Sequence, residues 1–302
     1  MRILCVCLSA NIQRTIRFDS LSINAVNRSV DWREDASGKA LNAARVLNQL
    51  EPGSSVALCP VGNANAERFL RLAADDGNLS VTPIYIDGNT RECWTLLDEK
   101  TGTTTELIAD MPQNPARPAG AEAELRLLDS VRGYMTSFDA LLLAGSRPAI
   151  WSRNICARIC EIAYKAGKIV LTDFRGEDLL ATIELCPPSI IKINEEEFCQ
   201  TFGKTRMSEE ELSSEIARKS VEFQNIIVVT RGGEQTFSAE KGKFYSCPTE
   251  KISPLNTTGC GDAFAAGFLY SYLKSKDIEA ALKMGNHCGA LNARTFIPGS
   301  LR

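Results

Sequence analysis

Short apolar runs alternate with amphipathic segments along most of this 302-residue chain, and no other feature constrains its fold as tightly. The runs Ile3–Leu8, Val56–Val61, Ala140–Ala144, Ile169–Thr172, Ile190–Lys192 and Ile226–Thr230 are dominated by Val, Ile, Leu and Ala. A strand covered on both sides needs that composition, because neither of its faces meets water. In Lys39–Leu50, Ala40, Ala43, Ala44, Leu47 and Leu50 recur at three- and four-residue steps, which lines one face of a helix. Similar patterns cover Ala64–Ala74, Glu122–Val131, Ile150–Ala166 and Glu209–Val221. Strand–helix–strand alternation predicts an α/β fold with a mainly parallel central sheet flanked by helices on both faces.

Two regions break the alternation. Arg14–Arg33 and Arg91–Leu107 are polar, lean towards β structure and carry no helical period; Val30-Asp31-Trp32-Arg33 alternates apolar and polar, and Thr95–Asp98 runs into a Lys100-Thr101-Gly102 turn. These segments predict strands of a small second sheet standing off the main one. Met111–Pro118 holds three prolines and reads as a loop.

Composition excludes several classes of function. The formal charge is −3 and no Lys/Arg block stands out, which argues against a nucleic-acid partner. No apolar run approaches the ~18 residues of a membrane-spanning helix, so no membrane partner is expected. The apolar start, Met1–Leu8, is too short for a signal peptide and lacks a small-residue cleavage site; it reads as a first strand, and the chain as cytoplasmic. Cys156 and Cys160 are spaced i,i+4 and could share a metal, but with one histidine, His287, and no CxxC, the eleven cysteines read better as reduced core thiols.

The strongest local signal for chemistry is Asn256-Thr257-Thr258-Gly259-Cys260-Gly261-Asp262, followed by a helical Ala263–Lys274. A Gly-x-Gly turn opening a helix gathers free backbone N–H groups at the positive end of the helix dipole, a site for phosphate or developing negative charge. Asp262 could act on whatever reacts there, or could simply cap the helix. GxxxxGK[ST] is absent, and so is GxGxxG after the first strand, so a nucleotide would need another mode of binding.

At this point the chain resembles a known family. Asn256–Asp262 is similar to the DTxGAGD signature of the ribokinase/PfkB carbohydrate kinases, with Asn256 and Cys260 as departures. Lys192-Ile193-Asn194-Glu195-Glu196-Glu197 resembles the family's KPNxxE segment, and Val228-Val229-Thr230-Arg231-Gly232 its nucleotide strand and turn. Ser37–Arg45 resembles GGKGxNVAR, the segment that contacts substrate. Within the family the chain is most similar to the 1-phosphofructokinase and tagatose-6-phosphate kinase branch, through Leu8–Thr15 against LNPAIDRT and through Val26-Asn27-Arg28, Thr90-Arg91 and Gly145-Ser146-Arg147-Pro148.

The resemblance implies one ribokinase-like domain over residues 1–302, with lid strands inserted at about 12–35 and 90–108 that often also form a dimer surface. It implies an ATP- and Mg²⁺-dependent kinase acting on a sugar or sugar phosphate, with Asp262 as base and the N–H groups of Gly259, Cys260 and Gly261 on the transferring phosphoryl group. Substrate binding would fall to Gln13, Arg28, Gly38, Lys39, Asn42, Arg91 and Ser146. Nucleotide binding would fall to Lys192, Asn194, Glu197, Thr230, Gly232 and Asn286, with Asn194 and Glu197 organising Mg²⁺ indirectly. Gln13 stands where the family has a sugar-binding Asp, Ser37 and Ala40 replace glycines and would narrow the pocket, and Gln235 stands where the nucleotide loop often has Gly.

Alternatives stay open from the residues themselves. Arg28, Lys39 and Arg91 are either clamps for a phosphate on the substrate or solvated charges. Asn194 and Glu197 suit a helix cap as well as a cofactor. His287 fits a satisfied packing residue near the adenine end, and Trp32 and Trp94 either pack together or face a second subunit. An unphosphorylated sugar or nucleoside as acceptor, or a phosphosugar-binding regulator without catalysis, are the rival functions.

Overall fold

The computed structural model describes residues 1–109, 121–204 and 206–302; the loop expected at Met111–Pro118 lies outside them. The expected runs form β1 (Ile3–Cys7), β4 (Ser55–Gly62), β8 (Ala140–Ala144), β9 (Ile169–Asp173), β10 (Ile190–Asn194) and β11 (Ile226–Thr230). They join β5 (Val81–Ile86), β12 (Thr236–Glu240) and β13 (Lys243–Cys247) in a sheet ordered β13-β12-β11-β10-β9-β8-β1-β4-β5. Pairing is parallel except along β11-β12-β13.

Burial on both faces is the reason these runs lack a polar side. Ile3, Cys5 and Cys7 of β1 pack on one face, with side chains from α1 (Lys39–Leu50), α2 (Ala66–Asp75), α8 (Cys260–Ser275) and α9 (Ile278–Ala293). Leu4 and Val6 pack on the other, with α3 (Ala121–Met135), α4 (Ile155–Lys165), α5 (Gly176–Leu185), α6 (Glu195–Thr201) and α7 (Glu209–Glu222). Each fully buried aliphatic side chain contributes roughly 1.5–3 kcal/mol, so a polar residue within β1 would be costly. Cys156 and Cys160 belong to this second core, and burial pushes the Cys156 thiol up to about 12. Among the described residues no helix is long and apolar enough to cross a membrane.

The two β-leaning segments form the second sheet: β2 (Asn11–Phe18), β3 (Asp31–Ser37), β6 (Arg91–Asp98) and β7 (Thr103–Ala109), ordered β3-β2-β6-β7. Its register sets which residues share a face. Asn11 lies between Ser37 and Arg91, Gln13 between Asp35 and Cys93, and Thr95 between Thr15 and Glu106. Side chains alternate across a strand, so these rows share one face.

Candidate active site

The carboxyl ends of β1, β8, β9, β10 and β11 open into a cleft of about 1400 Å³, roofed by the small sheet and closed at one side by the start of α8. Open α/β sheets bind ligands at this edge, where strands hand over to loops and helices.

At residue 259 the chain turns into α8 with φ +83, and a Cβ there would lie 2.9 Å from the Gly299 nitrogen, so only glycine fits. Gly259 is therefore the N-cap, and Asp262 sits inside the first turn rather than capping it as one reading of the sequence allowed. Its carboxylate, 7% exposed, accepts a hydrogen bond from Asn42 Nδ2 at 2.8 Å. Asn42, one turn into α1, is fixed by two donors to its own oxygen, Ser37 Oγ at 2.9 Å and Arg45 Nη1 at 3.0 Å. Arg45 also bonds the carbonyls of Ala36 and Pro298, both at 2.6 Å, and pairs with Asp76. That network leaves the Asn42 amide one orientation, with its N–H towards Asp262.

A second buried carboxylate, Asp173, stands between Lys192 Nζ at 2.8 Å and Lys39 Nζ at 3.0 Å. Burial alone would raise its pKa, but the two ammonium groups hold it below the usual carboxylate range. Asp262 goes the other way: burial and the negative charge of Asp173 push it up to about 6, against the pull of Lys39, Asn42 and Lys192. Lys39 is held protonated chiefly by Asp173, against the cost of burial. Two acids in one site, one fixed as an anion and one raised towards neutrality, are the arrangement that can separate a charge holder from a base. The sequence reading missed Asp173. Its signal was there: a lone carboxylate closing an apolar strand at the ligand edge of the sheet.

Most residues singled out from the sequence do line the cleft: Gly38, Lys39, Gln13, Asn42, Arg91 and Ser146 on the small-sheet side, and Lys192, Asn194, Glu197, Thr230 and Gly232 beyond β9. Lys192 Nζ comes so close to the turn that a Cβ at residue 261 would sit 2.9 Å from it. Arg91 Nη2 lies 3.3 Å from Ser9 Oγ, which is itself 3.3 Å from Ser146 Oγ, so a guanidinium and two hydroxyls gather at one spot. Ser9 was not singled out from the sequence. Gln13 donates from Nε2 to Thr95 Oγ1 at 2.7 Å.

Three expected site residues stand elsewhere, and other expectations change with them. Arg28 is exposed on the loop between β2 and β3 and does not line the cleft. The Cys260 N–H closes the turn onto Thr257 O at 3.3 Å, and its sulfur lies beside Asn292, so of Gly259, Cys260 and Gly261 only the two glycines line the cleft. Asn286 is buried away from the cleft; it accepts from Thr236 Oγ1 at 2.8 Å and donates to the Cys247 and Pro248 carbonyls. His287 is 52% exposed and pairs with Glu250 at 2.7 Å, so it is satisfied at the surface rather than packed. Ala40 is fully buried in the core and does not narrow the pocket, and Gln235 reaches Glu209 at 3.3 Å.

Asn194 and Glu197 form a complete capping box at the start of α6: Asn194 Oδ1 accepts from the Glu197 N–H at 2.8 Å, and Glu197 Oε2 accepts from the Asn194 N–H at 3.2 Å. Both still line the cleft, and Glu197 Oε1 is left 3.9 Å from Lys39. Among the described residues no cluster of three or more metal-ligating side chains occurs. This donor set fits Mg²⁺ in the form it takes with nucleotides, mostly hydrated and shared with phosphates.

Fold and site together define a small-molecule kinase. The model of the pfkB family of carbohydrate kinases matches residues 2–298, and the chain belongs to that family. The fold is shared with a Thermotoga maritima protein assigned as a possible 1-phosphofructokinase (TM-score 0.87, 19% identity, covering 99% of this chain and 93% of that one). It is shared too with Escherichia coli phosphofructokinase-2 in complex with fructose-6-phosphate (0.82, 18%, 97% and 93%). An Agrobacterium tumefaciens protein provisionally assigned as a ribokinase is also similar (0.75, 17%, 99% and 92%). The chain is thus a ribokinase-like carbohydrate kinase, with phosphofructokinases among its structural neighbours.

Proposed function

We propose that this kinase transfers the γ-phosphoryl group of ATP to a hydroxyl of a sugar phosphate of the fructose 1-phosphate, fructose 6-phosphate or tagatose 6-phosphate type, with Asp262 as the base. The observation that carries the reading is the buried Asp262 at the start of α8, raised to about 6 and aimed by Asn42, in the same cleft as the Arg91–Ser9–Ser146 cluster. Asp262 takes the proton of the acceptor hydroxyl as that oxygen attacks the γ-phosphorus; the bond to the β–γ bridging oxygen breaks and ADP leaves. The amides of the N-cap Gly259 and of Gly261 in the first turn have no intrahelical acceptor and would serve the transferring phosphoryl oxygens, with the helix dipole adding to them. Lys39 and Lys192, anchored on Asp173, supply fixed positive charge beside that turn. Mg²⁺, when bound, neutralises charge along the ATP phosphates; Asn194 and Glu197 would hold it through water. Thr230 and Gly232, which line the cleft, would contact the nucleotide.

Arg91, Ser9 and Ser146 would take the phosphate already on the acceptor, since a guanidinium fork flanked by hydroxyls matches phosphate oxygens. That a neighbour of the same fold was crystallised with fructose-6-phosphate favours this choice. The position of Arg28 favours the rival, an unphosphorylated acceptor, because the second expected phosphate clamp does not reach the cleft. The small sheet would act as a lid, and its outer face, where Trp32 is 55% exposed, as the contact of a homodimer. The buried free cysteines suit the cytoplasm. The test is ADP release with MgATP across matched phosphorylated and unphosphorylated sugars. Turnover with a sugar phosphate and not with its parent sugar is expected; the reverse preference would transfer the reading to a neutral-sugar kinase.

A further inference from the structure

Of the described small-sheet residues that line the cleft, a single one is an acid, Glu106 on β7; Asp35 shares that face of the sheet but pairs with Arg33 and does not line the cleft. Register places Glu106 opposite Thr95, the residue whose hydroxyl takes the Gln13 amide. Across the cleft, Thr258 Oγ1 donates to Glu106 Oε1 at 3.2 Å, so this side chain reaches from the small sheet to the turn that opens α8. Apart from the base Asp262, the other acids lining the cleft are already engaged. Asp178, Glu195, Glu197 and Glu234 each stand within 4.0 Å of a lysine or arginine nitrogen, and Glu196 accepts from Gln200. Glu106 holds one neutral partner and has lone pairs to spare, since a carboxylate accepts about four hydrogen bonds.

We propose that Glu106 is the specificity-determining carboxylate of the acceptor site, accepting from substrate hydroxyls and setting which end of the sugar phosphate faces Asp262; this rests on the sugar-phosphate reading above. Ionised carboxylates only accept, so Glu106 suits hydroxyl donors and repels phosphate oxygens. Arg91 stands four residues from Thr95 on β6, roughly 13 Å along the strand at ~3.3 Å per residue, and gathers with Ser9 and Ser146 at the root of the sheet. The cleft thus has two unlike ends: a cationic one for the phosphate, and an anionic one for hydroxyls beside the turn that opens α8. A sugar phosphate that enters reversed puts its phosphate against Glu106 and is rejected. Thr258 holds the carboxylate in place while the site is empty and can give it up to a ligand hydroxyl.

The experiment is calorimetric binding without nucleotide, which does not depend on turnover. The probes are fructose 1-phosphate, fructose 6-phosphate, tagatose 6-phosphate and inorganic phosphate, the last carrying the charge but no sugar hydroxyls. Wild type should bind at least one sugar phosphate more tightly than inorganic phosphate. Glu106→Gln should weaken that sugar phosphate about ten- to a hundredfold, the loss of a charge-assisted hydrogen bond, and leave inorganic phosphate within about twofold. Thr258→Val, which removes the holding contact and keeps the carboxylate, should stay within about threefold for both. The proposal is overturned if Glu106→Gln changes neither ligand or both equally, if Thr258→Val reproduces its loss, or if no sugar phosphate binds better than inorganic phosphate. Tight binding with the expected Glu106 effect but no ADP release would leave this proposal standing and sink the proposed phosphoryl transfer to that sugar phosphate.

Discussion

Replacing Asp262 by Asn should make the enzyme nearly inactive and, at neutral pH, more stable. The carboxyl is 7% exposed, and burial together with Asp173 moves its pKa from 3.8 to about 6. A shift of about two units corresponds to roughly 3 kcal/mol of penalty on the ionised form, at ~1.4 kcal/mol per unit. An acid whose folded pKa lies above its unfolded value takes up a proton on folding between the two. Wild-type stability, relative to a protein with no ionisable group at that position, therefore falls as pH rises from about 4 to about 6, and the gap is constant above about 7. Asn keeps an oxygen for the Asn42 N–H and carries no charge, so Asp262→Asn should gain up to about 3 kcal/mol at pH 8 and only about 1 kcal/mol at pH 4.5. Turnover should fall by on the order of 10² or more, the usual cost of removing a general base. Urea unfolding of both proteins at the two pH values, with steady-state rates beside it, measures both effects. A stability change independent of pH, or turnover within tenfold of wild type in a folded variant, would refute the assignment of a buried, raised, catalytic carboxylate.

Other expectations follow from the same geometry. Arg91→Ala should raise KM for a phosphorylated acceptor about ten- to a hundredfold with little change in KM for ATP, whereas Arg28→Ala, outside the cleft, should change either by no more than about twofold; steady-state kinetics in both substrates separates them. Glu197→Gln keeps a side chain able to complete the capping box but removes the charge, so the Mg²⁺ concentration for half-maximal rate should rise while nucleotide-free sugar-phosphate affinity holds. Asn42→Asp replaces the N–H donor to Asp262 by a second acid of the same shape, which should move the ascending limb of the pH–rate profile above about 6.

Much of the architecture was legible because it rests on burial. Runs such as Ala140–Ala144 and Ile226–Thr230 appear as strands with the expected bounds, since only a doubly covered strand explains so continuous an apolar run. What escaped notice lacked that signal. β5 is an edge strand interrupted by Pro83, and the β12–β13 hairpin turns through Lys241 (φ 49) and Gly242 (φ 82), where a lysine stands in place of the Asn or Asp that usually marks such a turn. In the site, local motifs placed Asp262, Asn42 and Lys192 together, but not the groups that sequence brings from afar. Asp173 acquires its meaning only from Lys39 and Lys192, and Ser9 only from Arg91 and Ser146. Asn286 shows the converse: a motif position whose polar atoms are all taken up by a strand and a loop.

The central claim is that phosphate moves from ATP to a hydroxyl on a sugar that already bears one phosphate. Phosphorus-31 NMR of the wild-type enzyme with MgATP and the best-bound sugar phosphate follows that transfer directly. The account predicts loss of the γ-phosphate resonance of ATP, matched by a second phosphate-ester resonance on the sugar, with Asp262→Asn leaving the spectrum unchanged over the same period. Release of inorganic phosphate alone, or a sugar bisphosphate formed equally fast by Asp262→Asn, would contradict it.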